Sequence, residues 1–203
     1  AIVGSQPFGG EGLSGTGPKA GGPNYIKRFT LSEKNEWVKP HLDNPVSLDV
    51  VQAAINKLKN NKKRLKSHKL PGPTGESNVL SFYSRGVVLC IGPTFDMALL
   101  QAQTAKENGC STLIITEDAE GESTIKGSLN RADLQFLNGF DAVVAWSDEE
   151  DQRDILRTLA SRPGPIIPLI NDLNFSERCI LERHLCIDTT AAGGNAALLM
   201  KTS

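Results

Sequence analysis

From residue 78 onward, short apolar segments rich in β-branched residues alternate with longer segments of helical periodicity. The short segments, which predict strands, cover residues 86–91, 112–116, 141–146, 165–170 and 185–189. The segments between them predict helices over residues 94–108, 131–137, 148–161 and 176–184. Such alternation is typical of βαβ units, in which helices cover both faces of a buried sheet. We therefore predict an α/β fold with a Rossmann-like, open and mainly parallel sheet.

The first 77 residues have a different character. Eight of the 19 glycines fall within the first 23 residues. Because each glycine disfavours a helix by about 1 kcal/mol relative to alanine, this stretch predicts a loop that lies against another surface. A short strand is predicted over residues 24–29. The segment 70–78 is rich in proline and glycine and predicts a turn that marks a boundary.

A helix is predicted between these two segments, over residues 47–65, with Ser47 as its N-cap. Its apolar stripe consists of Leu48, Val51, Ile55, Leu58 and Leu65. The second half of this helix and the residues after it are basic, with seven lysines and arginines between residues 57 and 69 and no acidic residue among them. This basic stretch is either a solvated helix face or a docking surface for an acidic protein or lipid.

Charge and cysteine usage exclude several classes of protein. The formal net charge is −1 and the pI is near 6.4, which argues against a dedicated nucleic-acid binder. No apolar run approaches the roughly 20 residues that a membrane span requires. The four cysteines, at positions 90, 110, 179 and 186, show no C-x-x-C spacing. Reduced thiols in a cytosolic protein are the simpler interpretation.

Two glycine patterns near the N-terminus resemble phosphate-binding motifs without their context. The segment from Gly10 to Gly15 matches G-x-G-x-x-G, but no strand precedes it and no helix follows it. Gly12 and Gly17 have the spacing of a phosphate loop, but Pro18 removes one N–H group and no Ser or Thr follows Lys19. We reject both as nucleotide sites.

The first turn after the predicted strand 86–91 is more informative. A dinucleotide domain places its glycine fingerprint there, whereas this chain has Gly92 followed by Pro93, Thr94, Phe95 and Asp96. Pro93 lacks an N–H group and the two residues after Thr94 are bulky and acidic. The sequence thus predicts a domain with the shape of a nucleotide fold that lacks the contacts to bind one.

No complete catalytic constellation or metal spacing is visible. His41, His68 and His184 lie far apart in the sequence, and the segment around His184 predicts a helix end. The tail 187–200 combines small residues with a Leu-Leu-Met end. It is interpreted either as a segment that docks onto a partner surface or as the last element of the sheet.

Three motifs in this chain resemble proline utilization A (PutA) proteins. The segment 6–23 is similar to the end of their glutamate semialdehyde dehydrogenase module, the segment 70–78 to their linker, and the segment 189–196 to their C-terminal motif. The resemblance implies a bifunctional parent enzyme. In it, an FAD-dependent proline dehydrogenase feeds an NAD-dependent aldehyde dehydrogenase through an internal channel, and the product is glutamate.

The resemblance also implies where the chemistry lies. None of the four cysteines matches the nucleophile motif of the aldehyde dehydrogenases. The cysteine, its glutamate base and the FAD and NAD sites are therefore expected upstream of Ala1, and the isolated chain is expected to be inactive. No catalytic, cofactor-binding or metal-binding residue is expected in this chain.

The domain division follows from the same resemblance. Residues 1–40 are expected to form the end of the aldehyde dehydrogenase module with a flap strand, and residues 41–77 a linker helix and turn. Residues 78–203 are expected to form a Rossmann-like domain similar to the aldehyde dehydrogenase superfamily. Ala1 and Phe8 are carried over as substrate-binding residues. The lid or docking motif consists of Thr189, Thr190, Ala191, Ala192, Gly193, Gly194 and Asn195.

The expected partner is the upstream aldehyde dehydrogenase module of the same polypeptide, within a homo-oligomer of the parent, and no contact with nucleic acid or membrane is expected from this segment. The expected location is cytoplasmic, with the parent able to associate peripherally with the inner membrane. Two alternatives stay open. One is an autonomous interaction module that docks through the basic helix and the Gly-rich tail, and the other is a stand-alone nucleotide binder.

Overall fold

The computed structural model describes residues 6–29, 37–60 and 62–188. The helices in chain order are α1 Leu48–Lys57, α2 Phe95–Glu107 and α3 Glu149–Ala160. The strands are β1 Arg64–Leu70, β2 Glu76–Ser84, β3 Val87–Cys90, β4 Ser111–Thr116, β5 Thr124–Lys126, β6 Ala142–Val144, β7 Leu169–Ile170 and β8 Ile180–Asp188. Short 3-10 turns lie at Ile26–Phe29, Arg131–Gln135 and Ser176–Cys179.

Strands β3 to β7 form a five-stranded parallel sheet in the order β5-β4-β3-β6-β7. All four residues of the central strand β3 are buried, as expected of a strand covered on both faces. Val87 and Leu89 face a core shared with α1 and α3, whereas Val88 and Cys90 face a core shared with α2. The predicted α/β fold with an open parallel sheet is therefore confirmed.

The two long predicted helices each begin after a residue whose side chain caps the first turn. The side chain of Thr94 accepts a hydrogen bond from the amide of Met97 (3.4 Å), and that of Asp148 accepts one from the amide of Asp151 (3.0 Å). The helices predicted over 94–108 and 148–161 are thus present with nearly the expected bounds. The helix predicted over 131–137 is only a 3-10 turn, and β5 was not predicted.

A second, antiparallel sheet of three strands contains the main errors of the sequence prediction. The helix predicted over 47–65 ends at Lys57, and the basic residues after it belong partly to β1, which pairs with β2. The prediction that these basic residues continue the helix is therefore wrong. Cross-strand pairing with a distant segment outweighs a weak local helical pattern. The segment 70–78 contains the turn of the β1–β2 hairpin and the start of β2.

The same physical reason applies to the C-terminal elements. Residues 176–184 were predicted as a helix and residues 185–189 as a strand of the parallel sheet. Instead β8 begins at Ile180 and pairs antiparallel with β2 over nine residues, from Glu76–Asp188 to Ser84–Ile180. The predicted helix over residues 176–184 and the predicted parallel strand over residues 185–189 are therefore both wrong. The flap strand predicted over 24–29 is also wrong, since Ile26–Phe29 forms a 3-10 turn without a buried residue.

Candidate functional site

The order of the parallel strands defines where a ligand site of this fold would lie. The chain runs from β3 to β4 and β5 on one side of the sheet, and then to β6 and β7 on the other side. If β3 is numbered as the first strand, the spatial order is 3-2-1-4-5. In open α/β sheets, ligands bind at the carboxyl ends of the strands where the direction reverses. That point lies between β3 and β6, at Gly92 and Trp146, whose backbone groups are hydrogen-bonded at 3.0 Å.

The turn at Gly92 is filled by the protein's own side chain. Gln101 of α2 is fully buried; its Nε2 donates to the carbonyl oxygen of Gly92 (2.9 Å), and the Gly92 amide donates to its Oε1 (3.4 Å). Gly92 has a φ of +81°, and a Cβ atom there would lie 2.9 Å from the amide nitrogen of Thr94. The Gly92 amide, a donor of the kind that a dinucleotide domain directs at phosphate, is thus used internally.

A segment of residues 37–46, called the strap, crosses the carboxyl ends of the strands. Val38 forms a parallel bridge with Ser147 after β6, and Pro45 forms one with Ser128 after β5. Since β3 and β4 lie between β6 and β5, the strap passes over both of them. Backbone hydrogen bonds from Val46 to Ser128 (2.9 Å) and from Ser128 to Asn44 (2.8 Å) hold its end.

Side chains fix the strap at two further points. The ring of Trp37 stacks on Trp146 with a centroid distance of 5.6 Å and an angle of 8° between the planes. At the other end, the backbone amide and the side-chain amide of Asn44 donate to the two carboxylate oxygens of Glu117, at 2.9 and 2.6 Å. These hydrogen bonds hold the pKa of Glu117 below its ordinary value.

Trp146 itself is held in place from beneath. Its indole Nε1 donates to the carbonyl oxygen of Asp172 (3.0 Å), and its ring meets Phe175 edge-on at 6.2 Å. A cavity of about 10 Å³ lies between the strap, at His41 and Leu42, and the ends of β3 and β4. Such a space holds at most about one water molecule, so the strap fills this part of the crevice.

The Gly-rich segment 6–29 lies against the antiparallel sheet, as the sequence predicted for it in general terms. The carboxylate of Glu182 in β8 is buried and accepts from the amide nitrogen of Lys19 (2.7 Å) and from Asn24 Nδ2 (2.8 Å). Two backbone hydrogen bonds between Phe8 and Ala20, at 2.8 and 2.7 Å, close the loop between them. A buried carboxylate with two donors therefore anchors a segment that has little core of its own.

The predicted site residues are only partly within the described residues. Phe8 lies on the Gly-rich loop with 69% of its surface exposed. Ala1 and the motif 189–195 lie outside the described residues, although the motif follows directly after the end of β8. The roles of Ala1, Phe8 and the motif remain predictions.

The histidines and cysteines lie in different surroundings, and the hydrogen bond with Cys179 lowers the pKa of the buried Cys110 thiol to about 7. His184 Nε2 lies 3.1 Å from Asn78 Oδ1, and desolvation lowers the pKa of His184. Burial raises the pKa of the Cys90 thiol, which keeps it protonated rather than nucleophilic. Within residues 6–29, 37–60 and 62–188, no cluster of three or more histidines, cysteines or carboxylates could hold a metal ion. In those same ranges, no helix has the length and apolar character that crossing a bilayer demands.

The sequence analysis did not predict the strap. It also did not predict the stacking of Trp37 on Trp146, which we call the aromatic clamp. The signal was present in a weak form: Trp37 and Trp146 are the chain's two tryptophans, and Pro40 and Pro45 favour an extended segment. It also missed Glu182, which lay in a segment predicted as helix. In both cases the partner residue is more than 80 positions away in the sequence.

The fold and its crevice define the class of this protein. It is a Rossmann-like α/β protein whose nucleotide crevice is closed by a strap of its own chain and which carries an additional antiparallel sheet. No family model matches the sequence. The chain is nevertheless related to PutA proteins over nearly its whole length, which confirms the resemblance seen in its motifs.

The relatives quantify this relationship. The chain is 32% identical over 238 aligned positions to the bifunctional protein PutA of Escherichia coli strain K12, covering 98% of this chain and 18% of that protein. It is 32% identical to the bifunctional protein PutA of Rhizobium meliloti over 233 positions, covering 98% and 19%. The chain thus spans less than a fifth of the length of these curated relatives.

Two further similarities cover less of the chain. A 1-pyrroline-5-carboxylate dehydrogenase of Oceanobacillus iheyensis is 66% identical over 29 residues, which is 14% of this chain and 6% of that protein. A crystal structure of a PutA variant from Bradyrhizobium japonicum is 30% identical, with a TM-score of 0.41 over 58% of this chain and 14% of that chain.

Proposed function

We propose that this chain is the C-terminal part of a PutA-type bifunctional enzyme that oxidises proline to glutamate. In this proposal the FAD-dependent proline dehydrogenase and the NAD-dependent glutamate semialdehyde dehydrogenase lie in the preceding part of a longer cytoplasmic polypeptide. The observation that carries the proposal is the 32% identity to bifunctional PutA across 98% of the chain. The chain contributes a scaffold and a lid rather than chemistry.

The closed crevice supports the scaffold role. Gln101 occupies the backbone groups of Gly92, and between the strap and the ends of β3 and β4 lies a cavity of only about 10 Å³. The Rossmann-like domain then serves as a rigid body, and the NAD of the parent binds to another module. A rigid cover over a reaction channel keeps an intermediate from bulk water, which is a known use of lids in enzymes.

The N-terminal segment supports a contact with the dehydrogenase module. In the proposal Phe8 packs on the aliphatic part of the semialdehyde, and the backbone at Ala1 helps to hold its carboxylate. The ring of Phe8 is exposed, whereas the loop that carries it is fixed by its backbone pairing with Ala20 and by the anchor at Glu182. A rigid loop with an exposed aromatic ring is suited to packing against a further apolar surface.

The lid role is assigned to the motif 189–195, which would cover the upstream dehydrogenase module in a homo-oligomeric parent. The test uses the parent polypeptide with Gly193→Val, and Lys201→Ala outside the motif as the matched control. Proline oxidation is followed with an artificial electron acceptor, and semialdehyde oxidation by NADH formation. We expect Gly193→Val to lower the second reaction several-fold while proline oxidation changes by less than about twofold.

An equal loss of both reactions would contradict the lid role, because it would indicate general misfolding. Unchanged NADH formation would contradict it as well.

The inactivity of the isolated chain has a separate test. Titration calorimetry with millimolar NAD should give no saturable heat, and the chain should not form NADH from the semialdehyde above the buffer rate. A saturable NAD isotherm would overturn the scaffold proposal, since the strap would then have to open.

A further inference from the structure

A cavity lies at the edge of the parallel sheet opposite the strap. It measures about 490 Å³ and opens between three parts of the chain. These are the Gly-rich loop at Gly12 and Thr16, the segment 138–141 before β6, and the segment 162–167 before β7. Its volume falls within the range of about 300–1,000 Å³ that is typical of small-molecule pockets.

Arg85 lies in the wall of this cavity and pairs with no carboxylate of the residues that the structure describes. The residue is only 4% exposed; its Nε donates to the carbonyl oxygen of Arg178 (2.5 Å) and its Nη2 to that of Thr16 (2.8 Å). Desolvation lowers the pKa of Arg85, which is the cost of a cation held mostly by neutral carbonyl groups.

Arg162 adds a second guanidinium group of the same kind. It stacks over the ring of Phe140, 4.8 Å from the centroid, and donates to the carbonyl oxygen of Leu134. Its Nε has no hydrogen-bond partner within the described part of the chain. Neither Arg162 nor Arg85 forms an ion pair with a described residue.

The two carboxylates in the cavity wall are already neutralised. Glu11 accepts two hydrogen bonds from Arg183, at 2.8 and 3.0 Å. Asp141 pairs with Lys62 (2.9 Å) and also accepts from the amide of Val87. The cavity therefore has a positive surplus from two guanidinium groups, which are the preferred partners of planar carboxylates.

The wall also contains polar residues, Thr16, Asn60 and Asn138, and an apolar part formed by Pro163, Pro165, Ile166, Ile167 and Leu181. We propose that this cavity binds a small organic carboxylate, whose anionic group meets Arg85 and Arg162 and whose apolar body lies on Pro165 and Ile166. The backbone amide of Ile166 already donates to the carbonyl oxygen of Gly12 (2.8 Å). A ligand here would bridge the Gly-rich loop and the α/β domain.

The experiment is a calorimetric titration of the full 203-residue chain at constant ionic strength. Three probes are compared: benzoate, its neutral isostere benzamide, and inorganic phosphate. We expect saturable binding of benzoate, and binding of benzamide and of phosphate that is weaker by about tenfold or more. Phosphate lacks the apolar body, and benzamide lacks the charge.

Variants locate the site. Arg85→Lys keeps the charge but loses the planar fork, and Arg162→Gln removes a charge while it retains a donor for Leu134. Both should weaken benzoate binding by about tenfold. Arg157→Gln is the control, because Arg157 is 76% exposed on α3 and lies outside the cavity. Circular dichroism checks that each variant is folded; should Arg85→Lys be unfolded, Arg162→Gln alone decides.

Four results would overturn the proposal. These are the absence of saturable benzoate binding, equal binding of benzoate and benzamide, equal binding of benzoate and phosphate, and undiminished benzoate binding in the folded variants. Equal binding of phosphate would reduce the site to a general anion site. None of these results bears on the lid role, which is measured in the parent enzyme.

Discussion

The buried ion pair between Arg131 and Asp151 lies near the carboxyl ends of the parallel strands. Its contribution to the unfolding free energy can be measured. Arg131, in the turn after β5, and Asp151, in the first turn of α3, are 8% and 7% exposed. Arg131 Nε lies 2.7 Å from Asp151 Oδ1, and its Nη2 lies 3.0 Å from Oδ2. Arg131 Nη1 also donates to the carbonyl oxygen of Leu129 (3.2 Å), so the guanidinium joins two elements.

Replacing Arg131 by Leu leaves the carboxylate of Asp151 buried without its cation. Breaking a buried pair in this way costs about 3–5 kcal/mol of unfolding free energy, which is a large part of the stability of a domain of this size. The double variant Arg131→Leu/Asp151→Leu removes both charges. Its loss should be about 1 kcal/mol or less, because an apolar pair of similar volume replaces the ions.

The same helix offers a matched control. Arg153 and Glu149 form a pair at 3.2 Å, with side chains that are 64% and 91% exposed. Arg153→Leu should cost no more than about 0.5 kcal/mol. The assay is urea unfolding followed by circular dichroism near neutral pH. A loss below about 1 kcal/mol for Arg131→Leu, or a double variant as unstable as the single one, would refute the reasoning.

Three further predictions concern the strap, the thiols and pH. Trp37→Ala removes the stacking on Trp146. We expect the unfolding free energy to fall by about 1–2 kcal/mol in urea unfolding and the fluorescence emission of Trp146 to shift to the red. An unchanged emission spectrum would contradict the aromatic clamp. One thiol should react rapidly with a disulfide reagent in the native chain, because Cys186 is exposed and the other three cysteines are buried; loss of this reaction in Cys186→Ser checks it. The hydrogen bonds from Arg183 hold the pKa of Glu11 below its ordinary value of 4.5. The stability from this pair is therefore complete above pH 4.5 and is lost as the pH falls through the lowered pKa, so Glu11→Gln should flatten the stability profile below pH 4.5.

Much of the parallel sheet could be predicted from the sequence because its signals are local. The caps at Thr94 and Asp148 lie within three residues of the amides that they bind. The continuous apolar run of β3 is typical of a central strand whatever its neighbours are. The expectation that Gly92 and Pro93 do not form a phosphate-binding turn was likewise read from adjacent residues.

The antiparallel sheet could not be predicted in this way. β1 is almost entirely exposed and basic, and it is a strand because β2 supplies its hydrogen-bond partners. β8 looks like a helix followed by a short strand until its nine residues are paired with β2. Strand pairing depends on residues that are distant in sequence, and local propensity is too weak to oppose it.

The candidate site shows the same division. The sequence by itself determined that the chain contains a Rossmann-like unit with a poor phosphate turn, since strand length, apolar pattern and caps are properties of neighbouring residues. Only the tertiary structure decided that the strap crosses the crevice, that Glu182 anchors the Gly-rich loop, and that two arginines face a cavity at the opposite edge without a carboxylate partner among the described residues. Each of these features joins residues far apart in the chain, and their contacts exist only once the sheets have formed.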